Sequence, residues 1–142
     1  MSNLIIYSDG GSRGNPGPAA YGFIIINNGQ TIGEGKKCLG ETTNNVAEYE
    51  GIKAALNYVL DQKLKAQNIT CFLDSELIVK QLKGEYKIKK IHLAQQAMVI
   101  HKLIQTLKTQ DCQQVSFHHV PRDQNNQADG LVNQALDAQA LT

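Results

Sequence analysis

YGFIIINNGQTIGEGKKCL, residues 21–39, is the stretch on which the fold turns. Tyr21–Asn27 is an isoleucine-rich run of strand character. Asn28-Gly29 is the dipeptide best suited to a two-residue hairpin, because both positions must accept positive φ. Thr31–Leu39 then returns as the partner strand. Upstream, Leu4-Ile5-Ile6-Tyr7-Ser8 reads as a short buried strand ended by Asp9-Gly10-Gly11. Gly10–Pro18 carries four glycines and two prolines in nine residues, a composition that predicts a loop. This N-terminal part of the chain therefore reads as an antiparallel meander.

The period changes downstream. From Val46, apolar residues at 46, 49, 52, 56 and 59/60 follow helical spacing, and Thr42-Thr43-Asn44-Asn45 offers capping side chains just ahead. Ile69–Leu73 is a short buried strand ending at Asp74-Ser75, and Glu76–Leu82 is a short amphipathic helix that Gly84 can end. Leu93–Leu107 has apolar residues at 93, 97, 100, 103/104 and 107, which predicts a longer helix. Gln114–Val120 makes a last strand and Gln127–Ala138 a final helix. The order β-β-β-α-β-α-α-β-α, without repeat or long linker, predicts one α/β domain over residues 1–142. Its sheet is mixed and five-stranded: an antiparallel meander continued by parallel strands through crossover connections, flanked by helices.

At 142 residues, 42% hydrophobic and 19% charged, the chain has the balance of an ordinary globular domain able to bury a core. No apolar run approaches the roughly 20 residues of a membrane-spanning helix. The start, Met1–Tyr7, lacks the basic, apolar and small-residue regions of a secretion signal, so the expectation is a cytoplasmic protein with no membrane partner. Cys38, Cys71 and Cys112 form no C-x-x-C pair, which argues against a zinc or redox motif. Cys71 reads as a buried thiol, and a Cys38–Cys112 bridge is disfavoured. The net charge of +1 means that any nucleic-acid site must depend on local placement. One local excess exists over Lys80–His92, where five lysines face one glutamate; a solvated helix face or turn would give the same pattern.

The acidic residues fall at element ends. Asp9 ends the first strand and Asp74 the fourth; were these strands parallel neighbours, both would emerge at the carboxyl edge where ligands collect in open α/β sheets. Glu48 and Asp129 are expected in the first turns of the first and last helices, where they can project toward that edge. Four carboxylates in one pocket require a neutralising partner, and oxygen ligands at this density suit Mg²⁺ or Mn²⁺. Two such ions about 4 Å apart are the arrangement that hydrolyses phosphodiesters in line. Each residue also has a plainer reading. Glu48 could complete a capping box with Asn45, Asp129 could complement a helix dipole, and Asp9 and Asp74 are ordinary turn residues. Their joint placement makes the plain reading much less economical.

The motifs around these residues resemble those of the type 1 ribonuclease H family. Asp9-Gly-Gly-Ser-Arg-Gly-Asn-Pro-Gly-Pro18 is similar to its opening signature, Thr42-Thr-Asn-Asn-Val-Ala-Glu48 to its second motif and Asp74-Ser75 to its third. Asn125-Asn126-Gln127-Ala128-Asp129 is similar to its fourth, and the resemblance runs in order from Leu4 to about Ala138. It implies the ribonuclease H-like fold. It also implies a metal-dependent endonuclease that cuts the RNA strand of RNA–DNA hybrids with two Mg²⁺ ions (Mn²⁺ as a substitute), leaving 3′-hydroxyl and 5′-phosphate ends. Asp9, Glu48, Asp74 and Asp129 match the metal-binding carboxylates, and Ser12, Asn15, Asn44 and Asn45 match positions that contact the hybrid's minor groove. Such contacts are physically reasonable, since the 2′-hydroxyl that marks RNA lies in that wide, shallow groove. Thr43 is a candidate phosphate contact on the DNA strand. The glycines of Gly10–Gly17 serve a tight turn, close approach of the sugar edge, or both; they do not have the spacing of a nucleotide-binding cradle.

Two departures from the family pattern stand out. Many members carry a histidine in a flexible loop before the last aspartate, whereas His118 and His119 fall too early, at a strand end where one of them reads as partly buried. Arg122 is the better candidate near the site, for a scissile phosphate or for charge balance, and the short Val120-Pro121-Arg122 loop resembles a subgroup without the histidine. Several members also have a basic, tryptophan-containing protrusion after the second helix. This chain has no tryptophan, and Lys83, Lys87, Lys89 and Lys90 are left as a partial replacement. The expected partner is an RNA–DNA hybrid, with double-stranded RNA as a second candidate, bound by a monomer. The alternatives are a catalytically weak hybrid- or RNA-binding module of the same fold and a related exonuclease or transposition enzyme. Retention of all four carboxylates disfavours the first, and the Thr-Asn-Asn and Asn-Pro-Gly-Pro motifs disfavour the second.

Overall fold

In the first strand, β1 (Asn3–Ser12), Leu4, Ile6 and Ser8 are buried while Ile5 and Tyr7 are half-buried, the period-two alternation of a strand with one face on the core. The computed structural model of the chain describes residues 3–141; Met1, Ser2 and Thr142, the ends of the expected domain, lie outside the described residues. β1 pairs antiparallel with β2 (Gly17–Asn27), which pairs antiparallel with β3 (Gln30–Thr42) across the Asn28-Gly29 turn. Both turn residues have positive φ, 53° and 77°, as that hairpin type demands. After α1 (Asn44–Asp61), β4 (Asn68–Leu73) pairs parallel with β1, and after α2 (Glu76–Leu82) and α3 (Ile91–Lys108), β5 (Gln114–His119) pairs parallel with β4. A short 3₁₀ turn (Arg122–Gln124) leads into α4 (Asn126–Ala140), and the sheet order is β3-β2-β1-β4-β5. The expected mixed five-stranded α/β architecture is therefore the observed one.

The main core lies where α1 and α3 face the sheet, with Leu4, Ile6, Ile52, Leu56, Ile69 and Ile100 among its wholly buried members. α4 covers the opposite face and packs across β2, β1 and β3, over a small separate cluster of Ala20, Val132, Ala135 and Leu136.

Several expectations need correction. Gly10–Pro18 is not all loop: β1 continues through Ser12, with Gly10 opposite Tyr21 and Ser12 opposite Ala19. Asp9 therefore lies inside β1, just beyond the last parallel pair, Ser8 with Leu73, rather than at the strand's end. α1 begins at Asn44, two residues before the apolar pattern starts, because Thr43 is the cap and its Oγ1 accepts from Val46 N at 3.3 Å. Glu48 thus stands beyond the first turn and forms no capping box with Asn45. All three cysteines are free: Cys38 packs beside α4 and donates to Ala135 O, whereas Cys71 and Cys112 belong to the main core. His118 and His119 are both exposed, because β5 is the edge strand; His118 bonds Ser116 Oγ through its Nε2 and packs against the Phe72 ring.

Candidate active site

The parallel pairing of β1 with β4 brings Asp9 and Asp74 to one edge, and the start of α1 sits directly on β1 there. What permits this contact is the missing side chain of Gly10: a Cβ would overlap the carbonyl of Ala47 and the amide of Glu48. Glu48 consequently reaches the strand, and its Oε1 accepts from Gly10 N at 3.3 Å while Asp9 Oδ1 accepts from the same N–H at 2.9 Å. Carboxylate oxygens of Asp9, Glu48 and Asp74 all lie within 4.8 Å of one another. Asp129, in the first turn of α4, is outside this group of three but lines the same cleft and raises the carboxyl of Asp9 by its charge.

The cleft has a volume of about 450 Å³. Within it Asp9 and Glu48 are 6% and 5% exposed, so their charges have little access to water. Burial first, then the neighbouring charge of Asp74, pushes the Asp9 carboxyl up to about 7. Glu48 is held well above its ordinary range by burial and by Asp9. Glu48 Oε2 is buried without a hydrogen-bond partner among the described residues, an arrangement costly for a carboxylate unless a cation completes it. An all-oxygen donor set of this kind fits a hard divalent cation.

One residue of the site was overlooked as such by sequence reasoning. Asn125 occupies the cap position of α4 but makes no side-chain cap bond there. Although it is 1% exposed, its Nδ2 donates to Ser8 O at 2.9 Å and to Asp74 Oδ2 at 3.2 Å. It ties the start of α4 to both β1 and the β4 carboxylate. Its sequence signal was its place as the asparagine that opens the Asn125–Asp129 motif. Asn133, one turn past Asp129, donates to Asp129 O at 3.1 Å and to its Oδ2 at 3.4 Å.

Three of the remaining expected residues, Ser12, Asn15 and Asn44, are joined by hydrogen bonds. Asn44 Oδ1 accepts from Ser12 N at 2.8 Å and from Ser12 Oγ at 3.0 Å, and Asn44 N donates to Asn15 Oδ1 at 3.0 Å. With its oxygen doubly used, Asn44 has only its amide nitrogen left to offer the cleft. Ser12, Asn44, Asn45 and Arg122 line the cleft. Asn15 and Thr43 do not: the first braces Asn44 from the loop, and the second is engaged as the helix cap.

The family described as reverse transcriptase-like matches residues 7–135. Bifunctional protein Rv2228c of Mycobacterium tuberculosis is 39% identical over 139 residues, covering 96% of this chain and 36% of that protein. A solved structure of its N-terminal RNase H domain, fused to maltose-binding protein, has a TM-score of 0.88 at 36% identity and covers 99% of this chain and 98% of that one. Ribonuclease HI of Halobacterium salinarum is 38% identical over 132 residues, covering 92% of this chain and 63% of that protein. LC11-RNase H1, solved in complex with an RNA/DNA hybrid, is 42% identical with a TM-score of 0.84, covering 98% and 99% of the two chains. The chain thus spans 36% of the length of the mycobacterial relative and somewhat under two thirds of the haloarchaeal one.

Proposed function

Since the chain belongs to the type 1 ribonuclease H family, we propose that it is an endonuclease that hydrolyses the RNA strand of RNA–DNA hybrids, leaving 3′-hydroxyl and 5′-phosphate ends. The observation that carries this reading is the convergence of Asp9, Glu48 and Asp74 oxygens within 4.8 Å, with one oxygen of Glu48 buried and unpartnered. Asp9, Glu48, Asp74 and Asp129 are the residues that would hold two Mg²⁺ ions, with Mn²⁺ as a substitute. Bound there, the metal supplies an activated water and charge stabilisation at the leaving oxygen. The chain's own part is positional. Asn125 fixes Asp74 and the start of α4, Asn133 steadies Asp129, and the Gly10 amide orients Asp9 and Glu48.

In the same proposal Ser12, Asn15, Asn44 and Asn45 receive the hybrid's minor groove, where the RNA strand presents its 2′-hydroxyls. Asn44 offers the donor, while Ser12 and Asn15 hold it in place. Arg122 lines the cleft as a counter-charge for a phosphate, and Thr43 would contact a phosphate of the DNA strand. The protein would act as a monomer in the cytoplasm; no helix among the described residues is long and apolar enough to cross a membrane.

The test is cleavage of an end-labelled hybrid in Mg²⁺ and in EDTA, beside matched RNA–RNA and DNA–DNA duplexes. The expected result is metal-dependent internal cuts in the RNA strand of the hybrid. Tight binding without cleavage in either metal would replace the enzyme by a binding module, and stepwise shortening from one end would indicate an exonuclease. The grip on the DNA side is expected to come from Lys83, Lys87, Lys89 and Lys90, with no tryptophan to assist. With all four engaged, raising salt from about 50 to about 200 mM should lower kcat/KM on the order of a hundredfold. A flat rate-versus-salt series below physiological ionic strength would remove the lysines from the account.

A further inference from the structure

Beside the carboxylate cleft lies a second groove of about 520 Å³ that shares Asn45 with it. Leu77, Tyr86 and Leu93 give it an apolar lining, and Lys87, Lys89 and Lys90 of the α2–α3 connection stand along it together with Glu85. Tyr86 is held in place by Lys80, whose Nζ lies 4.9 Å from the ring centroid and donates to the phenol oxygen at 3.3 Å. Set into this lining is one largely buried polar side chain, Gln81, which is 9% exposed. Its Oε1 accepts a 2.7 Å hydrogen bond from the hydroxyl of Tyr49, a wholly buried residue of α1 adjacent to Glu48.

This bond determines which end of the amide faces outward. Gln81 Oε1 is the acceptor of the Tyr49 proton among the described residues, and turning the amide over would strand that proton inside the core. Gln81 Nε2, with two N–H groups and no partner bonded to it among the described residues, is therefore the end presented to the groove.

We infer that Gln81 is a binding residue for the strand complementary to the one cut, its amide donating to a minor-groove base acceptor of a DNA nucleotide held in this groove. The inference rests on the hybrid-nuclease reading and adds a contact to it. With one strand's phosphodiester at the carboxylates and the minor groove over Asn44 and Asn45, the complementary strand falls on the far side of Asn45, where this groove lies. Every base pair shows a purine N3 or pyrimidine O2 acceptor at its minor-groove edge, so one outward donor serves any sequence. The apolar lining suits a 2′-deoxyribose, whereas a ribose would bury its hydroxyl there without a partner. Tyr49 acts through Gln81 and is a positioning residue.

The experiment uses hybrids whose DNA strand carries 3-deazaadenine in place of adenine, one position at a time, which deletes a single N3 acceptor. For the wild type, one position is expected to raise KM ~3–10-fold with kcat changed by less than about twofold. Gln81→Leu should raise KM on the unmodified hybrid by a similar factor and lose sensitivity to that position. Tyr49→Phe should behave alike and also lower thermal stability. Adding Gln81→Leu to it should recover the stability without recovering KM, which a merely structural role would not do. Wild-type KM unchanged by every 3-deaza substitution, or a Gln81→Leu protein that keeps the sensitivity, overturns the inference while hybrid cleavage stands. Failure of the wild type to cut any unmodified hybrid overturns the nuclease reading instead, before any variant is made.

Discussion

Asp9→Asn is expected to reduce hybrid cleavage by at least ~10³-fold and, in the same protein, to make the metal-free fold more stable above neutral pH. The two effects have one cause. The Asp9 carboxyl is raised from 3.8 to about 7 by burial and by the Asp74 charge. Between those values the unfolded chain has released the proton and the folded chain still binds it. Stability of the metal-free wild type must then fall as pH rises through this window, and level off above about 7. The asparagine variant carries no such charge, so it should match the wild type near pH 4 and exceed it by ~4 kcal/mol at pH 8. Denaturant unfolding at the two pH values in EDTA measures this directly. Added Mg²⁺ should recover the wild type's deficit at pH 8 and leave the variant unmoved. A metal-free stability flat from pH 4 to 8, or a variant less stable at pH 8, would mean that Asp9 is not held against its preference.

The second large effect belongs to a residue with no side chain. Gly10→Ala places a Cβ into the Ala47 carbonyl and the Glu48 amide, backbone atoms that can yield only by moving α1 off β1. The expected cost is ~3 kcal/mol, toward the upper end of overpacking effects, because no rotamer change relieves a backbone clash. Cleavage should be lost as well, since Glu48 retreats with the helix. Gly130→Ala is the matched control: a Cβ there meets nothing within 4 Å inside α4, so it should gain ~0.5–1 kcal/mol through a stiffer unfolded chain. Equal denaturation midpoints for Gly10→Ala and wild type, with cleavage intact, would refute the close-contact argument.

These residues also mark how far the sequence could be read. The hairpin at Asn28-Gly29 and the switch to helical spacing after Val46 were local signals, and local signals are what a sequence displays plainly. Together with the acidic residues at element ends, they led to the sheet and to three converging carboxylates. Where reading failed, a tertiary reason had taken over a local code. Gly10–Ser12 reads as turn composition, yet it is strand, with Gly10 kept bare for a helix that packs on it. Gly14, with φ of 96°, is where that segment does use glycine for a turn. Asn125 stands at the start of a helix but spends its side chain on Ser8 and Asp74. Glu48 looks like the closing member of a capping box and instead crosses to β1. One of the two histidines reads as partly buried because nothing local tells that β5 is the sheet's edge.

The small cluster beneath α4 carries a consequence for how the molecule comes apart. Asp9, Glu48 and Asp74 are borne by elements that share the large core, whereas Asp129 rides on a helix anchored over Ala20, Val132, Ala135 and Leu136 and by the Asn125 tether. An element with so modest an apolar footing is a natural candidate for a sub-global opening that costs less than complete unfolding. The carboxylate constellation would then depend on two units and exist only while both are closed. On warming, competence would fade before the sheet melts, and amide protons of α4 would exchange ahead of those in β1 and β4. Anything that bridges Asp129 to the other carboxylates would join the two units and bring those two transitions together.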